Sequence, residues 1–189
     1  SSVYDKEHCR ELLKEGCRGN ELCVYEDLLN LHPPDEPGVY GFESAWDFPV
    51  HYNEKRPWRF ELESCTFSLD GPQAIIHHKR RFNESTLEQD IILTAGSRRV
   101  DFVTKVDWQE RTRMLRTSFP VDVHADHART EIQFGNVERN THTNTNWDYA
   151  NFEKCGHKWV DISEPGYGAA LLNDCKYGHR VLGNVLDLN

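Results

Sequence analysis

No apolar run in this sequence approaches the 18 residues that a membrane-spanning helix requires. The opening residues, Ser1-Ser2-Val3-Tyr4-Asp5-Lys6, lack the basic stretch followed by an apolar one that marks a secretory leader, so no such leader and no membrane partner is expected. Positive charge is also scarce: 22 Lys and Arg face 31 Asp and Glu, a net charge of −9. A phosphate backbone is repelled by such a surface, which excludes nucleic acid as a partner. The chain has no Gly-x-Ser-x-Gly elbow, no phosphate loop and no Gly-x-Gly-x-x-Gly fingerprint. Six cysteines, at 9, 17, 23, 65, 155 and 175, never form a Cys-x-x-Cys pair, which argues against a zinc knuckle or a redox dithiol. Six in 189 residues is not disulfide-dense, so free thiols in a reducing compartment are expected. Internal repeats and low-complexity linkers are absent too, and the length fits a single domain, 1–189.

What is present is a period of two. Val100, Phe102, Thr104, Val106 and Trp108 alternate with Asp101, Lys105 and Asp107, broken only by Val103, and predict a half-buried strand. Leu115, Thr117, Phe119, Val121 and Val123 repeat the pattern, with Pro120 implying an edge position or a bulge. Thr130, Ile132 and Phe134 form another run, ended by Gly135. Further strands are predicted over 21–26, 58–69, 74–82, 87–94, 157–162, 168–173 and 179–188. Strands this frequent, with turn residues between, predict an all-β fold, an antiparallel β-sandwich or barrel. Ser85-Thr86-Leu87-Glu88 matches a helix capping box, but the β-rich Ile91-Ile92-Leu93-Thr94 that follows favours a strand. Residues 5–15 are ambiguous on pattern alone.

Two stretches break the period. Residues 30–59 combine five prolines with Tyr40, Phe42, Trp46, Phe48, Tyr52 and Trp58. Residues 139–153 are polar and rich in Asn and Thr. Long ordered loops of this kind usually carry function. Trp46-Asp47 and Asn146-Trp147-Asp148 set an aromatic beside amides and carboxylates, which suits a sugar, because its C–H face stacks on a ring while its hydroxyls need polar partners. The competing reading makes each Trp a core anchor and each Asp a turn former. His142, Asn144 and Asn146 share one parity, so an extended chain would show all three on one face; equally, such residues satisfy their own loop's backbone. His77-His78, adjacent in a strand, point to opposite faces and cannot share a metal, and His124 and His127 have no third ligand nearby. Gly166-Tyr167-Gly168 reads as a turn.

A longer series of segments is more specific. Val106-Asp107-Trp108-Gln109-Glu110, Phe119-Pro120, Glu131-Ile132-Gln133-Phe134-Gly135 and Thr141-His142-Thr143-Asn144-Thr145-Asn146-Trp147-Asp148 follow in order. Phe152-Glu153, His157-Lys158-Trp159-Val160-Asp161-Ile162-Ser163-Glu164, Gly166-Tyr167-Gly168 and Leu172-Asn173-Asp174-Cys175-Lys176-Tyr177-Gly178 complete the run. Near the start, Val3-Tyr4-Asp5-Lys6, Arg10-Glu11, Gly19-Asn20, Glu26-Asp27 and Ala45-Trp46-Asp47 belong to the same pattern. Together they resemble the C-terminal β-domain of α-mannosidases of glycoside hydrolase family 38, nearest its cytosolic-type and bacterial branch. Residues 31–41 depart from it in being more Pro-rich.

The resemblance implies a sandwich of the galactose mutarotase-like kind, a fragment of a larger β-domain, with 3–13 forming strand, turn, strand. It implies a parent that hydrolyses α-linked mannose from glycans with retention, using a carboxylate nucleophile and an acid/base carboxyl. It places the catalytic residues and a zinc ion in an N-terminal barrel, which with a helical bundle would be this domain's partner in the same polypeptide. No segment here matches those motifs, so neither a catalytic residue nor a metal ligand is assigned to this chain, which alone should be inactive. Trp46, Asp47, His142, Asn144, Asn146, Trp147 and Asp148 are candidates for the substrate cleft or a domain interface. A cytoplasmic location and self-association through unpaired edge strands are further expectations. The competing functional classes are a free-standing carbohydrate-binding sandwich and a mutarotase-like epimerase.

Overall fold

The computed structural model describes residues 2–27 and 50–189. The predicted strand, turn, strand opens the chain: β1 (Tyr4–Asp5) pairs antiparallel with β2 (Arg10–Glu11), and β3 (Glu21–Glu26) follows. Next come β4 (Trp58–Arg59), β5 (Glu61–Asp70), β6 (Gln73–Phe82), β7 (Ser85–Thr94) and β8 (Val100–Asp107). The remaining strands are β9 (Arg113–Pro120), β10 (His127–Ile132), β11 (Gly135–Asn140), β12 (Lys154–Cys155), β13 (Trp159–Glu164), β14 (Tyr167–Leu172), β15 (Gly178–Leu182) and β16 (Val185–Leu188). A single α-helix among the described residues, α1 (Asn146–Ala150), interrupts them. The predicted all-β fold of antiparallel sheets is what the chain adopts. None of its described helices is long and apolar enough to cross a membrane.

The chain divides into two compact units, Trp58–Arg113 and the remainder. In the larger unit, one sheet has the order β11-β10-β13-β14 and a second runs β12-β15-β16-β9-β3. The apolar residues of both meet in one core of Val121, Val123, Ala128, Val160, Ile162, Val181 and Leu186, with Phe119, Ala169 and Leu171 packed on it. The alternation of β13 explains its place: Val160 and Ile162 are fully buried while Asp161 and Ser163 face outward. The turn from β13 to β14 is Pro165-Gly166, with Gly166 at φ +85°, the pairing that a type II turn favours. Tyr167 and Gly168 belong to the strand and not to the turn, because Tyr167 pairs with Glu164 and Gly168 with Ser163.

Four other expectations are corrected. The stretch 179–188 is a hairpin, broken at Gly183-Asn184, with Leu182 opposite Val185. Its tip is docked: Val121 N donates to Asn184 O, Asn184 Nδ2 donates to Val121 O at 2.6 Å, and Gly183 N donates to Thr141 O at 2.6 Å. Pro120 lies neither on an edge nor in a bulge; it is the last residue of a central strand, opposite Val185. Gly135 does not end a run but starts β11, after a turn at Gln133-Phe134 with Phe134 at φ +62°. Within β9 the most buried side chains are Met114 and Arg116, of the opposite parity to Leu115 and Thr117.

In the smaller unit β5-β6-β7-β8 form a meander, and Ser85-Thr86-Leu87-Glu88 is strand, as expected. At one end Phe60, 4% exposed, packs against Phe82 and Trp108, with ring centroids 5.8 and 6.5 Å apart.

None of the six cysteines forms a disulfide. Burial holds the His179 imidazole below its ordinary range. The unfolded chain takes up that proton near pH 6.5 and the folded chain only at lower pH, so stability should fall as pH drops through about 6.5. The expected result is a lower urea midpoint at pH 5.5 than at pH 7.5, with a smaller difference in His179→Asn. An equal difference in the variant would assign the effect elsewhere.

Candidate functional site

The site is built from the polar segment 139–153, which the larger unit holds at both ends. At its start, Thr141 is buried; its Oγ1 donates to Ala125 O at 2.7 Å and its N–H to Asp126 O. Lys154 Nζ donates to Asn140 O at 2.7 Å. At its end, Glu153 enters a network of buried charges. Arg116, fully buried, reaches Glu153 Oε1 at 2.5 Å and Asp187 Oδ2 at 3.5 Å. Arg180 Nη2 lies 2.6 Å from Asp187 Oδ2. Tyr52, which stacks beneath the Arg116 guanidinium, donates to Glu153 Oε1 at 2.5 Å and accepts from both arginines. Ser118 Oγ donates to Asp187 Oδ1, and Asn189 bridges Arg116 Nε and Glu153 Oε2. Burial works against the charge of Arg116, but Glu153, Tyr52 and Asp187 outweigh it and raise its pKa; burial likewise pushes the Tyr52 phenol up. Two guanidiniums and two carboxylates leave the cluster neutral, the condition for burying it.

Between these anchors the segment folds on itself. Thr145 caps α1: its Oγ1 accepts from Asp148 N–H at 3.1 Å, and the Asp148 side chain accepts from Thr145 N–H, a reciprocal capping box. Asn140 Nδ2 donates to Asp148 Oδ1 at 2.7 Å, and His142 Nδ1 lies 3.7 Å from Asp148 Oδ2. The hydrogen bonds from Thr145 and Asn140 hold the Asp148 carboxyl below the ordinary carboxylate range. Asp148 is therefore occupied in positioning the loop. Its chain neighbour Trp147 is 79% exposed. Asn144 and Asn146 are exposed as well, and neither side chain makes a hydrogen bond among the described residues. Because the helix begins after Thr145, the chain is not extended from His142 to Asn146, and the three side chains do not form the simple one-faced row that parity alone suggests. The arrangement is a rigidly held tip that offers an indole, two free amides and an imidazole, groups able to stack on a sugar and bind its hydroxyls.

Trp46 and Asp47 lie outside the described residues. His124 and His127 do not converge: His124 Nε2 is 3.6 Å from Asp122 and 72% exposed, whereas His127 lines a groove of about 320 Å³ with Asp126, Arg129, Glu138 and Asp161. On the sheet of the smaller unit, Ser68 Oγ is 2.8 Å from His77 Nε2, and His77 Nδ1 is 2.7 Å from Asp90 Oδ1. His77 and Asp90 line a shallow depression of about 200 Å³ on an open strand surface, without the water-excluding walls that such chemistry requires; with Ser68 they tie β5, β6 and β7 together. Among the described residues no three His, Cys, Asp or Glu side chains gather closely enough to hold a metal ion. The described residues therefore do not fit a zinc site.

Sequence reasoning missed the buried network. Its members are ordinary charged and polar residues far apart in the chain, and only the parity of Met114 and Arg116 hinted that a cation faces inward. The capping box was legible as Thr145-x-x-Asp148 but overlooked.

The fold places the chain in a structural class. It superimposes over 99% of its length, with a TM-score of 0.72, on 23% of a solved chain described as an α-mannosidase from Enterococcus faecalis V583. A second Enterococcus faecalis structure, described as a protein in the glycosyl hydrolase family 38, gives a TM-score of 0.68 over 99% of this chain and 24% of that one. At 13% and 12% identity these two likenesses concern the fold alone.

Sequence carries the assignment further. Residues 1–189 match the model of the glycosyl hydrolases family 38 C-terminal domain, and the chain belongs to that family. It is 38% identical over 195 residues to Alpha-mannosidase G of Dictyostelium discoideum, covering 100% of this chain and 17% of that protein. It is 36% identical over 186 residues to the human Alpha-mannosidase 2C1, covering 95% of this chain and 16% of that protein. The chain thus spans only a small part of the length of these relatives.

Proposed function

We propose that this chain is the non-catalytic β-domain of an α-mannosidase, and that its 139–153 tip borders either the glycan cleft or the interface with the catalytic part of the same polypeptide. Both units serve this one role. The observation that carries the reading is the contrast within the segment: Thr141 is buried and bonded to the Ala125 carbonyl, and Glu153 is paired with buried Arg116, while Trp147, Asn144 and Asn146 between them are exposed and unspent. A protein that stiffens a loop at both ends and leaves aromatic and amide groups outward has a surface ready for a ligand or a neighbouring domain. The carboxyl pair and zinc implied by the family resemblance belong to a part of the enzyme outside these residues, acting in the cytoplasm.

The test is made in the full-length enzyme, with a chromogenic α-mannoside. His142→Ala, Asn144→Ala and Trp147→Ala should each lower kcat/KM about tenfold with Tm unchanged. Thr145→Ala, which removes the helix cap, should instead cost about 1 kcal/mol of stability. Unchanged kinetics and stability in all three surface variants would sink the cleft-or-interface reading.

A further inference from the structure

The four long strands of the smaller unit are two-faced. Register places Phe67, Ile76, Ile91 and Phe102 in one row across the sheet, and Leu69, Ala74, Leu93 and Val100 in the next row on the same side. Continuing along that side come Cys65, His78, Gln89 and Thr104, then Leu62, Arg80, Leu87 and Val106. The other side carries Ser64, Lys79, Glu88 and Lys105 in one row and Thr66, His77, Asp90 and Val103 in another. Antiparallel sheets with this alternation keep one face in water and pack the other.

Only one end of the apolar face is packed. Leu87 is fully buried and Gln89 is 3% exposed, near the Phe60, Phe82 and Trp108 cluster. Towards the far end the same surface lies open: Phe67 is 64% exposed, Leu69 72%, Leu93 51% and Ile76 38%. Two adjacent rows of mostly large apolar side chains make this end a contiguous exposed patch, the kind of surface that marks an interaction site and not scattered surface residues.

We infer that this face docks another segment of the full-length polypeptide, lying outside residues 1–189. The choice of occupant follows from length. The whole of this chain matches only 17% of Alpha-mannosidase G, and its fold occupies 23% of a solved mannosidase chain, so most of such a polypeptide lies outside the domain and is tethered beside it. A covalently attached segment meets the face at high effective concentration, an advantage that a second copy lacks. The inference rests on the reading of this chain as part of a longer mannosidase.

Cys65 supplies an internal probe, since it is exposed, lies on this face and precedes Phe67 by two residues. In the native full-length protein, iodoacetamide should label Cys65 at least about tenfold more slowly than in the isolated 1–189 chain, read by peptide mass spectrometry. Phe67→Asp should lower the Tm of the full-length protein by about 5 °C and shift that of the isolated chain by about 1 °C or less. Val103→Asn, on the polar face, should shift neither. Equal labelling rates, or equal Tm shifts in the two proteins, would overturn the inference. So would a halving of the sedimentation mass of the full-length protein by Phe67→Asp, which would assign the face to a second copy. Turnover of an α-mannoside by the same preparation reports separately on the enzymatic reading: a protected Cys65 without turnover rejects that reading and supports the docked face.

Discussion

Arg116→Met should cost about 3–5 kcal/mol of folding free energy, because it leaves the Glu153 carboxylate in the interior without a cation. Asp187 is fully buried and Glu153 largely so, and Arg116 is the cation that both share. Arg180 still faces Asp187 after the substitution, but Glu153 keeps only Tyr52 and Asn189, which are neutral. Breaking one side of a buried ion cluster is far more costly than never having built it, since the desolvation of the surviving charge is no longer offset. Glu153→Gln should cost less, because Arg116 retains Asp187 and the amide oxygen still accepts from it. Urea denaturation of both variants checks the order. A loss below about 1 kcal/mol for Arg116→Met would show that the cluster contributes little.

Gly156→Ala should be the other severe change. A Cβ added there would stand 2.3 Å from Thr130 Cγ2 and 2.8 Å from His179 Cδ2, and both neighbours are buried. Neither backbone nor side chain can step aside. Gly156 N–H donates to Tyr177 O, His157 N–H donates to Glu131 O, and Thr130 and His179 sit in paired strands. Overpacking of this kind costs about 1–3 kcal/mol, which for a chain of this size is a fall of roughly 2–12 °C in Tm. Gly135→Ala is the control, since nothing lies within 4 Å of a Cβ there and its φ is unstrained. Thermal denaturation should leave Gly135→Ala near the parent value. A Gly156→Ala protein equally stable would mean that the Thr130 and His179 contacts are slack.

The strands that could be read in advance are those whose burial is written in apolar side chains at period two. β7 and β8 are examples, and so is β13 with Val160 and Ile162. β11 was invisible because Gly135-Asn136-Val137-Glu138-Arg139-Asn140 holds one large apolar residue; it is kept in place by its ladder with β10 and by Arg129 facing Glu138. β9 was seen, but its inward face was misread, since a hydrophobic pattern cannot announce a buried guanidinium whose partners lie at 52, 153 and 187. Gly183-Asn184 was a legible turn signal that the apolar residues on either side concealed. For the site, the aromatic and amide composition of 139–153 marked the right segment, yet five helical residues are too few to show a 3.6 period, and the inward turn of Asp148 depends on Asn140 and a cap.

The docked tip of the last hairpin has a consequence for the timing of folding. Val121 is held by Asn184, and Thr141 by Gly183, across 63 and 42 positions of chain, and the main core itself includes Val181 and Leu186. The larger unit therefore waits for residues beyond 180 to leave the ribosome before its core can close. The inserted meander of β5 to β8 pairs only neighbours in sequence and can assemble first. During that interval its apolar face stays open to solvent.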